Sequence, residues 1–80
     1  MFYTYILKSL KDNRFYYGNT GTLGMRIKAH NSGKVRSTKG RRPLALHYNE
    51  CFETRQEAIK RENYFKSIDG YNWLKENGII

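Results

Sequence analysis

The sequence predicts an α+β domain: a three-stranded antiparallel sheet packed with helices, in the order β-β-α-β-α-α. Two neighbouring runs rich in aromatic and β-branched residues, joined by a short polar stretch, predict a hairpin. A third strand-like run follows Pro43, the one proline of the chain. Helical patterns with capping and stopping signals fill the intervals. Eighty residues are expected to form one domain, 1–80, near the lower size limit for a self-sufficient core.

Residues 2–9, "FYTYILKS", read as the first strand, "LKDNR" as a turn and "RFYYGN" as the second strand. Thr22 is placed to cap a helix over "LGMRIKAHNS", and Gly33 to stop it. Within that helix Gly24 is unfavourable by about 1 kcal/mol relative to alanine. Residues 34–42 read as a basic loop. Pro43 opens "LALHYNEC", a third strand expected to carry Leu44, Leu46 and Tyr48 on one face. "TRQE" (54–57) matches a capping box and predicts a helix from about Arg55 to Ser67. Asp69 is positioned to cap a last short helix, stopped by Gly78.

Charge is distributed unevenly. Residues 1–42 hold ten lysines and arginines against one acid, Asp12, whereas residues 43–80 hold five against six. Lys34, Arg36, Lys39, Arg41 and Arg42 fall within nine residues, which points to a polyanion and nucleic acid first. No basic amphipathic helix accompanies them, so a membrane surface is not expected as partner. No run approaches the roughly 20 apolar residues of a membrane span, and "MFYTYILKSLK" reads as a strand rather than a signal peptide. The single cysteine, Cys51, excludes an internal disulfide and a multi-cysteine zinc site. It is expected to be a packed, inert thiol, and a lone thiol suits a reducing, cytoplasmic setting.

The stretch "FYYGNTGTLGMRIKAH" (15–30) has a glycine-rich passage between strand and helix, as phosphate cradles do. Its spacing is G-x-x-G-x-x-G, however, and no Lys-Ser or Lys-Thr pair follows, so no nucleotide cofactor is expected. On the helix, Leu23, Ile27 and His30 share the core-facing side, and Arg26 neighbours His30 one turn away. In the next helix, at 100° per residue from Ala58, Phe65 falls near about −20° and Glu62 near about +40°, within the apolar arc. A carboxylate there needs an offset. Periodicity favours a salt bridge, with Arg26 as one candidate, or a rim position. A divalent cation held by one carboxylate, phosphate and water is the other solution. Seven tyrosines serve mainly as packing, but one set beside an arginine or a metal ion can take a proton from attacking water.

The order Tyr5, Tyr16, Arg26, His30, Glu62 resembles the GIY-YIG nuclease family, specifically its small stand-alone bacterial members related to the excision-repair incision nuclease. The first motif falls on Tyr3-Thr4-Tyr5, keeping its final tyrosine, and the second on Tyr16-Tyr17-Gly18, keeping tyrosine and glycine. "HNSG" (30–33) and "TKGRRP" (38–43) extend the resemblance, which covers roughly residues 2–68. The segment Thr22-Leu23-Gly24 departs from the family pattern, which commonly has an acidic residue before the leucine and a longer side chain after it; that departure is expected to loosen the helix holding Arg26.

The resemblance implies a metal-dependent endonuclease hydrolysing phosphodiester bonds, in DNA rather than RNA, structure-selective and linked to repair or recombination. Glu62 would hold one Mg²⁺ or Mn²⁺ and Arg26 would neutralise charge developing on the phosphate. Tyr5 or Tyr16 would activate water, and His30 would bind phosphate or relay a proton. Lys34, Arg36, Lys39, Arg41 and Arg42 would hold the nucleic-acid backbone. A different class of function is a nucleic-acid-binding module with the same fold and no turnover. A third is an interaction domain for an acidic protein, although no feature indicates a protein partner.

Overall fold

The computed structural model describes residues 1–80. Strand β1 (Phe2–Ser9) is central, pairing antiparallel with β2 (Phe15–Thr20) on one side and β3 (Leu44–Phe52) on the other. Helices α1 (Leu23–Asn31), α2 (Arg55–Phe65) and α3 (Ile68–Glu76) complete the expected order. Successive strand residues point to opposite faces, so β1 feeds two cores. Tyr5 and Leu7 pack with Leu44 and with Tyr16, Leu23 and Ile27, which places α1 on that face. Ile6 packs with Phe65 and Leu74, flanked by Tyr17, Tyr48 and Trp73, which places α2 and α3 on the other. Full burial of a side chain such as Leu7 or Ile6 contributes about 1.5–3 kcal/mol.

The third strand departs from simple alternation. Ile6 pairs with Tyr48, but Leu7 pairs with Leu46, so an irregularity at His47 inserts one residue. The insertion inverts the facing of everything beyond it. Leu44 and Leu46 therefore lie on the α1 face and Tyr48 on the α2 face. Cys51 is also not packed as expected: it is exposed, paired with Tyr3 near the end of the sheet.

The helix boundaries follow local chemistry. Thr54 Oγ1 accepts a hydrogen bond from the Glu57 N–H at 3.2 Å, the N-cap half of the capping box, and donates to Glu57 Oε1 at 2.9 Å in place of the reciprocal backbone bond. Helix α2 ends at Phe65, before Ser67. Ser67, not Asp69, caps α3, its hydroxyl accepting from the Gly70 N–H at 3.1 Å. Asp69 sits in the first turn instead, where a carboxylate suits the helix dipole. The early start is tied to close packing, because a side chain on Gly70 would overlap the Tyr64 carbonyl. Thr22 precedes α1 but its hydroxyl makes no capping bond. Gly33 ends that helix at φ +82°, a conformation costly for any residue with a Cβ.

The basic segment is more ordered than a plain loop. It contains a 3-10 turn, Lys39–Arg41, and the buried Thr38. Ser9 Oγ donates to the Arg41 carbonyl at 2.6 Å. Asn31 pairs with the Leu44 backbone in both directions, at 2.9 and 2.7 Å, tying α1 to the start of β3. No helix is long and apolar enough to cross a membrane.

Candidate active site

Four of the five residues singled out in the sequence meet on the α1 face. Tyr5 comes from the middle of β1, Tyr16 from β2, and Arg26 and His30 from adjacent turns of α1. Tyr5 Oη lies 2.9 Å from His30 Nε2, and Arg26 Nε donates to Tyr5 Oη at 3.4 Å. The ring of Tyr16 meets that of His30 edge-on, centroids 5.0 Å apart, and lies 6.5 Å from that of Tyr5. His30 is fully buried and Tyr5 is 1% exposed, whereas Tyr16 and Arg26 are half-buried. The solvent-facing members of the group are therefore Tyr16 and Arg26.

The hydrogen bonds form a continuous chain. Thr38 Oγ1 lies 2.8 Å from His30 Nδ1 and 3.4 Å from the Val35 carbonyl. In the tautomer protonated on Nδ1, Thr38 accepts from Nδ1–H and Nε2 accepts from the Tyr5 hydroxyl. Burial, with the nearby Arg26 charge, lowers the His30 pKa below its ordinary value and keeps the imidazole neutral. Burial raises the Tyr5 pKa, opposed by the Arg26 hydrogen bond, so Tyr5 remains a phenol. Arg26 in turn is held charged, first by that hydrogen bond. In that tautomer the arrangement joins a proton donor, Tyr5, to a neutral base, His30.

Gly18 makes this geometry possible. It pairs with Tyr5 across the β1–β2 ladder, and the Tyr5 phenol lies over it. A Cβ at position 18 would overlap Tyr5 Oη and Cζ. The glycines of residues 15–30 thus form no phosphate cradle: Gly18 lies within β2, Gly21 lies against the Phe2 ring and Gly24 is helical.

Glu62 approaches from the opposite face. Its side chain is 14% exposed, a rim position. Oε1 accepts from Asn19 Nδ2 at 2.5 Å and Oε2 pairs with Lys66 Nζ at 2.5 Å. Arg26 is not its ion-pair partner; α1 and α2 lie on different faces of the sheet. Glu62 nonetheless acts on the other cluster across the β2 edge, its charge being among the influences that raise the Tyr5 pKa. No group of three or more His, Cys, Asp or Glu side chains converges anywhere. A hard divalent cation here would rest on one carboxylate, completed by water and substrate phosphate, which fits the habits of Mg²⁺ or Mn²⁺. It would first displace Lys66 from Oε2.

Of the basic segment, Lys34, Arg36, Lys39 and Arg42 are exposed. Arg41 departs from the expectation of a free cation: it is half-buried, with Nε 3.5 Å from Asp12 Oδ2 and Nη2 3.5 Å from the Phe15 carbonyl. Sequence reasoning quoted Thr38 only as part of "TKGRRP" and missed its pairing with His30, and it missed Asn19, the partner of Glu62. A single threonine in a loop and an asparagine next to a glycine carry no periodic signal.

The structure is an α+β domain with two tyrosines, an arginine and a histidine around one hydrogen-bonded centre and a carboxylate across the strand edge. A family model described as the GIY-YIG catalytic domain matches residues 1–72, and the chain belongs to the GIY-YIG family, a family of nucleases. It is similar to small bacterial proteins named UPF0213. With the one from Bacillus licheniformis it shares 44% identity over 71 residues, covering 88% of this chain and 72% of the relative. With YazA of Bacillus subtilis it shares 46% over 65 residues, 80% of this chain and 65% of the relative. With the Clostridium perfringens protein it shares 49% over 69 residues, 85% and 73%. The chain thus spans about two thirds to three quarters of these relatives' length. The solution structure of the UPF0213 protein of Bacillus halodurans superposes with a TM-score of 0.54 at 36% identity, covering 95% of this chain and 84% of the other.

Proposed function

We propose that the protein is a metal-dependent endonuclease that hydrolyses phosphodiester bonds, with DNA as substrate and repair or recombination as its setting. The observation that carries this reading is the chain Arg26–Tyr5–His30–Thr38, a phenol joined to a neutral imidazole and flanked by a guanidinium, with Glu62 within electrostatic reach. The Arg26–Tyr5 bond is long at 3.4 Å and readily exchanged for a phosphate oxygen. As Arg26 turns to the phosphate, the Tyr5 hydroxyl is uncovered. Tyr5 then passes its proton to His30 Nε2 while its oxygen takes one from the attacking water, and Arg26 stabilises the charge on the phosphate oxygens. Tyr16, half-buried at the edge of the cluster, holds the water or the phosphate. A Mg²⁺ or Mn²⁺ held by Glu62 would supply Lewis-acid polarisation of the scissile phosphate. Lys34, Arg36, Lys39 and Arg42 hold the backbone, blind to sequence.

The test is incubation of the purified protein with branched, nicked and single-stranded DNA, and matched RNA, with Mg²⁺ or Mn²⁺. Metal-dependent cuts that vanish in Glu62→Ala and Arg26→Ala are expected. Tyr5→Phe should lose about 10²–10⁴-fold, the span of general acid–base effects, and more than Tyr16→Phe. Equal cutting by the Glu62 and Arg26 variants would overturn the assignment. One observation favours a second reading, a binding module without turnover: both Glu62 oxygens are already engaged, by Asn19 and Lys66. Salt-dependent binding indifferent to EDTA, with no cleavage of any substrate, would select it.

A further inference from the structure

A cationic depression of about 590 Å³ opens at the far end of the sheet from Glu62, lined by Lys11, Asn31, Lys39, Gly40, Arg42 and Pro43. It joins three elements that are distant in sequence: the β1–β2 turn, the end of α1 and the 3-10 turn. Its cations are unpaired. The only ion pairs in the protein are Arg41–Asp12, Arg61–Glu50 and Lys66–Glu62, and none involves Lys11, Lys39 or Arg42. Asp12, the one acid among residues 1–42, is the partner of Arg41. Two of the cations are nonetheless fixed. Lys11 Nζ donates to the Gly40 carbonyl at 3.1 Å, and Arg42 Nε donates to the Lys39 carbonyl at 2.9 Å. The Arg42 guanidinium also lies over Gly33, where an added Cβ would meet its Nη1 at 2.9 Å. Like charges gathered in one concavity, oriented by neutral carbonyls and lacking any carboxylate, repel one another until an anion enters.

We propose that this depression is a phosphate subsite, engaging a backbone phosphate of the bound nucleic acid away from the one cut. The proposal rests on the nuclease reading for its ligand. Ser9 Oγ bonds to both the Lys11 N–H and the Arg41 carbonyl, so the subsite sits level with the end of β1. Tyr5 is four residues back along the strand, roughly 13 Å at the usual rise. A phosphate held here lies a short way along the backbone from the scissile one, and the two anchoring points set the direction of the strand across the α1 face. Lys11 lies outside the 34–42 cluster and is the residue that the fold adds to it.

The test is fluorescence anisotropy with a labelled duplex in EDTA, titrated with NaCl, for wild type, Lys11→Gln, Lys39→Gln and, as control, Lys60→Gln on the exposed side of α2. Removing one cation that neutralises a phosphate should lower the slope of log K against log salt by about 0.9. Lys11→Gln and Lys39→Gln are each expected to do so while Lys60→Gln is not, with thermal melts confirming that all four proteins fold. A parallel arm follows amide shifts at Lys11 and Gly40 on adding inorganic phosphate and tripolyphosphate. Saturable shifts there with no slope change in the duplex titration would assign the depression to free anions and overturn the backbone role. An unchanged slope in both variants of a protein that cuts DNA would overturn the subsite and leave the nuclease reading intact. The slope change without cutting would do the reverse.

Discussion

Position 18 tolerates nothing larger than hydrogen, because the Tyr5 phenol lies where a Cβ would be. Gly18→Ala is expected to push Tyr5 off His30 and Arg26, to destabilise by about 1–3 kcal/mol as overpacking does, and to cut as poorly as Tyr5→Phe. Denaturant unfolding and the cleavage assay measure the two effects; a variant with wild-type stability and activity would place the phenol elsewhere. His30 gives a second expectation. The groups facing it are Tyr5, Tyr16, Thr38 and Arg26, with no carboxylate among them. Its pKa is lowered in the fold from the ordinary 6.5, so the unfolded chain binds the extra proton first. Stability should therefore be full above about pH 6.5 and decline as pH falls below it. Asp12, lowered chiefly by the hydrogen bond from the Arg14 N–H, acts in a separate window, losing its contribution only as pH falls below its ordinary 3.8. Urea unfolding at pH 7.5 and pH 5 should show the decline in wild type and a flatter response in His30→Gln. Tyr5, Tyr16, Arg26 and His30 were legible because helical spacing puts Arg26 beside His30 and the tyrosines match a known motif. The pairing of Thr38 with Nδ1 of that histidine was not, since only the folded loop brings it there.

At the scale of elements, the sheet and its three helices were readable from strand-forming runs, one capping box and two glycine stops. The inversion in β3 was not, because a one-residue insertion leaves the apolar spacing of "LALHY" unchanged while moving Tyr48 to the other core. Helix α1 is the weakest element that holds site residues: nine residues, no side-chain cap, and Gly24 inside it. Nothing lies within 4 Å of a Cβ built on Gly24, so its glycine has no steric basis and the cost is conformational entropy alone. Gly24→Ala should stabilise by about 1 kcal/mol, raising the melting temperature by about 4–8 °C without touching any site residue. A lower melting point would mean that the helix needs its flexibility at that turn. Helix α2 is fastened differently. Arg61 forms a two-pronged pair with Glu50, at 2.7 and 3.2 Å, over the rings of Phe65 and Trp73. Tyr48 donates to the same carboxylate, and burial followed by that bond pushes its pKa up to about 12. Glu50→Gln should destabilise by about 1.5–3 kcal/mol, the usual worth of hydrogen bonds to a charged group, read by chemical unfolding.

Across the whole molecule, the two faces of the sheet carry different parts of the proposed site, on either side of the edge strand β2. The α1 face carries the Arg26–Tyr5–His30–Thr38 hydrogen bonds; the α2 face carries the Glu62 carboxylate. Sequence periodicity put Glu62 near the apolar arc and left open what offsets it. The answer depends on long-range packing, since Asn19 comes to Glu62 from 43 residues away in the chain. Lys66, one helical turn on, then acts as a resident cation on Oε2, the oxygen that a divalent metal would need. Lys66 is 50% exposed, so the pair contributes no more than about 0.2–1 kcal/mol, enough to compete with a weakly held metal but not to exclude it. Lys66→Gln should accordingly bind Mn²⁺ up to about fivefold more tightly, as judged by electron paramagnetic resonance titration, with little change in melting temperature. Glu62→Gln should abolish the same binding. Tightening that survives in the Lys66→Gln/Glu62→Gln double variant would place the metal on other ligands, and the carboxylate on the α2 face would then be structural, holding Asn19 and the β2 edge in register with the tyrosines behind it.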